Sequence, residues 1–126
     1  MSNRCVILPI KPQFADKIFD LSKTYEYRKV IFGSDVKKVY VYATKPFSRI
    51  IGYFIIDTII QGTPSTVWEQ TFKGSGITKE YYDEYFDGHN MAYAIKIQSV
   101  KLFNSPIDPK SIIKNFRPPQ SFIYYK

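Results

Sequence analysis

Apolar and polar residues alternate in several short runs along this chain, and a period of two is typical of a half-buried β-strand. In one such run Val39 and Val41 fall on one face, whereas Tyr40 and Tyr42 fall on the other. The longest run is interrupted by Gly52, which indicates a bulge, a bend or a close backbone approach at that point. The predicted strands are Cys5–Ile10, Thr24–Ile31, Val36–Thr44, Ser48–Ile60, Met91–Phe103 and Ser121–Tyr125.

The helical pattern is confined to three short segments and one turn. After Pro12 the apolar residues Phe14, Ile18 and Leu21 recur at positions i, i+4 and i+7, which form one helical face. Two further helices are expected from Ser65, as a cap, to Thr71 and from Thr78 to Gly88, with a helical turn within Pro106–Ile113. The order of elements predicts an α+β domain that spans residues 1–126, a mostly antiparallel β-barrel with helices covering its ends.

The net charge of +7 is distributed unevenly along the 126 residues. Residues 1–50 carry ten Lys or Arg against four Asp or Glu, and residues 101–126 carry five against one, whereas residues 51–100 carry three against six. If the two ends meet in the fold, they form one basic surface that favours a polyanion through counterion release. The alternative is that the excess charge serves only solubility.

Residue counts exclude several kinds of site. Cys5 is the single cysteine, so no internal disulfide forms, and it is expected to act as a small buried hydrophobe. His89 is the single histidine, and we therefore expect no metal centre and no cofactor. No stretch approaches the ~18 apolar residues of a membrane span, and no signal peptide is visible, so a cytoplasmic protein without membrane contact is expected.

The segment after the first helix has an unusual set of polar residues. On a strand, Thr24, Glu26 and Arg28 share one face while Tyr25 and Tyr27 share the other. A hydroxyl, a carboxylate and a guanidinium on one face suit recognition of a polar ligand. The alternative is a solvated edge strand, because charged groups are almost never fully buried unless they are paired.

This segment resembles the signature Gly-x-Lys-x-x-Glu-x-Arg of the ASCH domains, the homology domain of activating signal cointegrators within the PUA-like superfamily. Lys23, Glu26 and Arg28 stand at the Lys, Glu and Arg positions, and Leu21 stands where the family has Gly. The resemblance spans nearly the whole chain. The other matching segments are Ile10-Lys11-Pro12, Val39–Ala43 followed by Pro46, Gly52-Tyr53-Phe54, Tyr85–Gly88, Tyr93–Ile95 and Pro118–Phe122.

The resemblance implies a small PUA-like barrel that binds RNA, or a nucleotide-like ligand, in a pocket between the first helix and the adjacent strands. The implied ligand-binding residues are Lys11, Lys23, Glu26, Arg28 and Tyr53. Arg28 can bind a phosphate or a base edge, and Glu26 can accept a hydrogen bond from an exocyclic amine such as that of cytosine. Lys11 and Lys23 add positive charge, while Tyr53, like Tyr25 or Tyr27, can stack on a base.

Two alternative functions remain open at this point. Some proteins similar to ASCH domains are amidohydrolases acting on an acylated cytidine through a Lys, a Thr and a Glu. Here Lys23 matches their Lys, but Glu26 stands in place of their Thr, which leaves Lys23, Thr24 and Glu26 as catalytic candidates with Glu69 as the nearest further carboxylate. The other alternative is a non-catalytic regulatory module with the aromatic segment Tyr81–Phe86 as a protein interface.

Overall fold

A computed structural model describes residues 4–125. Its six strands form one sheet, and its three α-helices are short. The strands are β1 Cys5–Ile10, β2 Tyr25–Arg28, β3 Lys38–Ala43, β4 Arg49–Gly62, β5 Ala92–Ile107 and β6 Ile123–Tyr125. The helices are α1 Pro12–Phe19, α2 Pro64–Thr71 and α3 Lys79–Phe86, with 3-10 turns at Phe72–Gly74 and Pro109–Ser111.

The sheet has the strand order β2-β5-β4-β3-β1-β6. Every neighbouring pair is antiparallel except β1 and β3, which run parallel. The predicted α+β class with a mostly antiparallel, barrel-like sheet is therefore confirmed. The first and last strands are neighbours, since Cys5 pairs with Tyr125. Strands from the two basic ends of the chain thus lie side by side.

The predicted irregularity at Gly52 is present where β4 bends. The pairing of β4 with β3 and with β5 shifts register around this residue. A Cβ atom at this position would collide with the Lys101 carbonyl oxygen and would lie 2.8 Å from the Phe19 ring. Glycine is needed here because helix α1 presses against the strand, so α1 is held firmly on the inner face of the sheet.

The inner face of the sheet and helix α1 enclose the main apolar core. Its fully buried members include Val6 and Leu8 from β1, Val39 and Val41 from β3, and Ile18 from α1. These residues sit at alternate strand positions, as the period of two predicts. Within residues 4–125, no helix has the length and apolar character needed to cross a bilayer.

Helices α2 and α3 close one side of the sheet through a second core of aromatic residues. Tyr82 and Phe86 of α3 are buried against Tyr27 of β2. Thr63, not the predicted Ser65, caps α2, and its hydroxyl oxygen accepts the Thr66 amide. The helix starts earlier than predicted because Pro64 at its first position has a backbone angle already suited to a helix.

Helix α1 ends in a left-handed residue that is not glycine. Leu21 follows the C-terminal cap of the helix, has φ = 71° and exposes 64% of its surface. A positive φ at this place is usual at helix ends and is normally provided by glycine. The glycine of the ASCH signature thus corresponds to a position at which Leu21 takes a glycine-like conformation.

A single arginine joins the two edges of the sheet. Arg28 lies on edge strand β2, and its Nη2 donates to the carbonyl oxygen of Ser121 at 2.7 Å, just before the other edge strand, β6. Its Nη1 donates to the carbonyl oxygen of Pro9 at 3.2 Å. The curled sheet is thus bridged by a side chain where β2 and β6 do not pair.

Candidate functional site

Four charged residues predicted as ligand contacts line one cavity of about 320 Å³. Lys11 reaches it from the start of α1, and Lys23, Glu26 and Arg28 reach it from β2 and the residue pair before it. The volume lies at the lower end of the range for small-molecule sites. The polar groups are thus gathered in a concave site rather than spread over a solvated strand.

Lys23 is enclosed at the bottom of the cavity, with 2% of its surface exposed. Its Nζ donates to the carbonyl oxygen of Ser75 at 2.8 Å and lies 5.0 Å from the centre of the Tyr27 ring. Burial lowers the pKa of this amine, and the charge of Glu26 opposes that effect. This Ser75 contact is its one hydrogen bond within residues 4–125, so two of its three N–H groups are left for a ligand.

The loop above Lys23 explains why this lysine is buried. Gly76 has φ = 67°, and its Cα lies so close to Lys23 that a Cβ there would be 2.6 Å from the Lys23 Cβ. Lys17 holds the same loop through a 3.1 Å hydrogen bond to the Gly76 carbonyl oxygen. The glycines of this loop therefore permit the backbone to fold down onto the lysine.

Glu26 lies between two cations. Its Oε1 is 3.9 Å from the Lys23 amine, and its Oε2 accepts a 3.4 Å hydrogen bond from Arg28 Nη1. Its side chain is 8% exposed, yet both ionic contacts are long. A carboxylate of this kind keeps acceptor capacity for a ligand that presents N–H groups.

Aromatic side chains form the opposite wall, and they were not predicted as site residues. Tyr81 and Tyr85, one helical turn apart on α3, line the cavity together with Phe14 of α1. The Lys11 amine donates to the Tyr81 hydroxyl at 3.2 Å, and the Lys29 amine lies 4.4 Å from the centre of the Tyr85 ring. Burial raises the pKa of Tyr85.

The aromatic segment of α3 is thus divided between two roles. Tyr82 and Phe86 are buried in the second core, whereas Tyr81 and Tyr85 line the cavity, and Tyr85 also packs against the edge of that core. The spacing of four between each pair is the signal that two faces of one helix are aromatic.

Three candidates lie away from the cavity. Thr24 precedes the first residue of β2, and its hydroxyl donates to the Gly74 carbonyl oxygen at 3.4 Å, so the expected shared face with Glu26 is wrong. Tyr53 lies on the outer face of β4, in contact with Tyr40, because strand alternation turns it away from α1. Glu69 is exposed on α2, outside the cavity lining.

Thr24 and Glu69, the hydroxyl and the further carboxylate named for the amidohydrolase alternative, are therefore not part of the cavity lining, whose one threonine among residues 4–125 is Thr44. Within residues 4–125, no group of three or more His, Cys, Asp or Glu side chains is placed to hold a metal ion.

The fold and the cavity define the class: a small α+β domain with a curled, mostly antiparallel sheet and a charged, tyrosine-walled cavity beside its first helix. Comparison with known proteins shows which proteins share this fold and sequence. The chain is 29% identical over 127 residues to an ASCH domain-containing ribonuclease of Zymomonas mobilis, which covers 95% of this chain and 83% of that protein. The crystal structure of ASCH from Zymomonas mobilis superimposes with a TM-score of 0.91 at 28% identity, covering 99% of this chain and 90% of the other.

These comparisons confirm the predicted resemblance to the ASCH domain family. No family model matches it. It is also 29% identical over 122 residues to the large ribosomal subunit protein uL22 of Ureaplasma parvum, where it covers 96% of this chain but 39% of that protein. The chain thus spans well under half the length of that relative.

Proposed function

We propose that this protein binds single-stranded RNA and holds one nucleotide in the cavity formed by Lys11, Lys23, Glu26 and Arg28. The observation that carries the proposal is the convergence of these four charged groups on one cavity with a wall of tyrosine rings. Two further facts support it. The net charge of +7 favours a polyanion, and a relative that covers most of this chain is named a ribonuclease.

Each wall of the cavity has a distinct task in this proposal. Glu26 accepts a hydrogen bond from an exocyclic amine of the base, while Lys11 and the free N–H groups of Lys23 bind phosphate oxygens. Tyr81 and Tyr85 provide ring faces and edges for the base. Arg28 is a positioning residue, because its N–H groups already hold two backbone carbonyls and Glu26.

The test is RNA binding measured by fluorescence anisotropy with a labelled single strand of about 12 nucleotides, within the ~4–16 nucleotides that single-strand binders cover. Lys11→Ala is expected to weaken binding several-fold and to make the salt slope less steep by about 0.7. Glu26→Gln is expected to reduce the preference for bases with an amino group. Lys79→Ala is the matched control, since Lys79 is exposed on α3 and paired with Asp83.

Wild-type affinity and an unchanged salt slope in both cavity variants would contradict the proposal. Unfolding midpoints of the variants, measured in urea, separate loss of binding from loss of fold.

A second candidate function is cleavage of the bound RNA, and the buried amine of Lys23 is the observation that favours it. A lowered pKa allows a lysine to act as a general base. The neutral amine would take the proton of a 2′-hydroxyl, the 2′-oxygen would bond to phosphorus, and the bond to the 5′-oxygen would break as water protonates it. Denaturing gels of end-labelled RNA test this.

Lys23→Met is expected to lower the cleavage rate by ~10²-fold or more, whereas Lys79→Ala leaves it unchanged. Intact RNA after long incubation with the wild-type protein would exclude cleavage and leave the binding proposal standing.

A further inference from the structure

The outer face of the sheet, opposite α1, carries a row of aromatic side chains that crosses the strands. Tyr125 of β6, Tyr40 of β3, Tyr53 of β4 and Phe103 of β5 form this row, which we call the outer strip. Neighbouring ring centres lie 5.8 Å (Tyr40 to Tyr125), 6.0 Å (Tyr40 to Tyr53) and 6.0 Å (Tyr53 to Phe103) apart. All four rings are partly exposed.

Basic side chains accompany these rings. The amine of Lys38 lies 4.4 Å from the centre of the Tyr53 ring and 5.8 Å from that of Tyr40. Lys101 is the strand partner of Tyr53 on β5 and is exposed. Residues 36–57 and 92–125, which include strands β3, β5 and β6 and the segment after β5, contain nine Lys or Arg against two acidic residues, Asp57 and Asp108. Four of the eleven acidic residues lie on α3 or directly after it.

The rest of the chain leaves the outer strip partly exposed. The segment after β5 buries Tyr42 and Ile50 at one end of the outer face by placing Phe116 over them. Tyr40, Phe103 and Tyr125 pack against the edge of this cluster and keep part of their surface exposed, whereas Tyr53 lies outside it. Packing therefore accounts for one side of the row and leaves its outer surface, with Lys38 beside two of the rings, open to solvent.

We propose that the outer strip is a second contact surface for single-stranded RNA, on which unpaired bases stack against the rings while Lys38 and Lys101 bind phosphates. Aromatic residues across a sheet, flanked by cations, are how several single-strand binders hold two or three bases without reading sequence. The charge of the face fits a polyanion and opposes a basic protein partner. This inference rests on the proposed RNA function, which it extends to flanking nucleotides.

Strand β1 lies beside the strip and also reaches the cavity. Ile7 of β1 pairs with Tyr40, and Pro9, two positions or about 7 Å further along the strand, lines the cavity. Lys114 and Arg117 are exposed on the segment that covers Tyr42 and Ile50, and they add positive charge at that end of the outer face.

The test compares a labelled RNA of about 12 nucleotides with a dinucleotide that can fill only the cavity. Tyr53→Leu is expected to weaken binding of the longer RNA at least about fivefold, the low end of the cost of losing a stacked ring, and to leave dinucleotide binding unchanged. Tyr53→Phe keeps the ring and is expected to bind like the wild type. Lys38→Ala with Lys101→Ala should make the salt slope less steep by about 1.4.

Lys96→Ala is the matched control, since this lysine lies on β5 but outside the strip, 3.8 Å from Asp57. Wild-type binding of the longer RNA by both strip variants would overturn the inference, and loss of a dimer on Tyr53→Leu without loss of RNA binding would assign the strip to self-association instead. Lys11→Ala separates the two proposals: if it weakens binding of both RNAs while strip variants do not, the cavity function stands alone.

Discussion

Replacing Arg28 is expected to loosen the whole fold, because this side chain joins the two edges of the sheet. Arg28→Ala removes a 2.7 Å hydrogen bond to the Ser121 carbonyl, a 3.2 Å bond to the Pro9 carbonyl and the contact with Glu26. The side chain is 12% exposed, so solvent screens these contacts little. A hydrogen bond to a charged group contributes about 1.5–3 kcal/mol.

From these contacts we expect Arg28→Ala to lower the free energy of unfolding by about 3–5 kcal/mol. The short bond to Ser121 contributes in full and the longer bond to Pro9 less. Glu26 keeps Lys23 as a partner, at 3.9 Å, so its charge is not left alone. Since a domain of this size is stable by about 5–15 kcal/mol, the loss is a large fraction of the total.

Urea unfolding followed by the fluorescence of Trp68 measures this loss. Trp68 is the single tryptophan and packs 4.7 Å from the Tyr82 ring, so its emission reports on the second core. With a slope of about 1–3 kcal/mol per molar urea, the midpoint should fall by at least about 1 M. A midpoint within experimental error of the wild type would refute the bridging role.

Two further variants sharpen this experiment. Arg28→Lys keeps the charge but has one nitrogen, which cannot reach both carbonyls, so about half of the loss should remain. Arg4→Ala is the comparison, because Arg4 donates two hydrogen bonds to Asp35 but both side chains are more than 40% exposed. This variant should lose far less free energy of unfolding than Arg28→Ala. Equal effects of Arg28→Ala and Arg4→Ala would contradict the reasoning.

Three further predictions concern single positions. Burial lowers the pKa of Lys23, so between that lowered pKa and 10.5 the unfolded chain holds more protons than the folded one. The stability of the wild type relative to Lys23→Met should therefore rise as the pH increases toward 10.5, as urea titrations at several pH values will measure. Gly52→Ala should cost about 1–3 kcal/mol because its Cβ meets the Lys101 carbonyl, whereas Gly62→Ala on the same strand, 3.7 Å from its nearest neighbour, should stay within about 0.5 kcal/mol. Leu21→Gly should gain about 1 kcal/mol and raise the thermal midpoint, because φ = 71° costs a leucine more than a glycine.

The outcomes that contradict these predictions are equally specific. A pH-independent difference between wild type and Lys23→Met would mean that the amine is solvated in the fold. The urea titrations should stop near pH 10, because a second group changes stability above that pH. Burial raises the pKa of Tyr27 from 10.0 to about 12, so the stabilising contribution of its protonated hydroxyl is lost as the pH rises above 10. Leu21→Ala keeps the positive φ and should gain nothing, so a gain there would point to another cause.

Much of the fold could be predicted from the sequence because its local signals agree. Alternating Val and Tyr in β3 placed Val39 and Val41 in the core, and Thr78 caps α3 as predicted, since its hydroxyl oxygen accepts the Tyr81 amide. The signature residues Lys23, Glu26 and Arg28 could be predicted to lie together because they are near neighbours in the sequence, on β2 and just before it.

The remaining features depend on contacts between distant parts of the chain. Burial of Lys23 requires the loop at Gly76 to fold over it, and the role of Arg28 as a bridge requires the carbonyl of Ser121, 93 residues away. A period of two places Tyr53 on one of two faces but does not say which face bears the cavity. Only the packing of α3 decides that Tyr85 lines the cavity in addition to bordering the second core.

The pairing of Cys5 with Tyr125 has a consequence for how this domain can be joined to others. A polypeptide that enters at β1 leaves from the neighbouring strand β6, about 5 Å away. The domain could therefore be inserted into a surface loop of a host protein, because the two ends of that loop would need to be separated by only about the distance between paired strands. Cooperative unfolding of the host should survive such grafting.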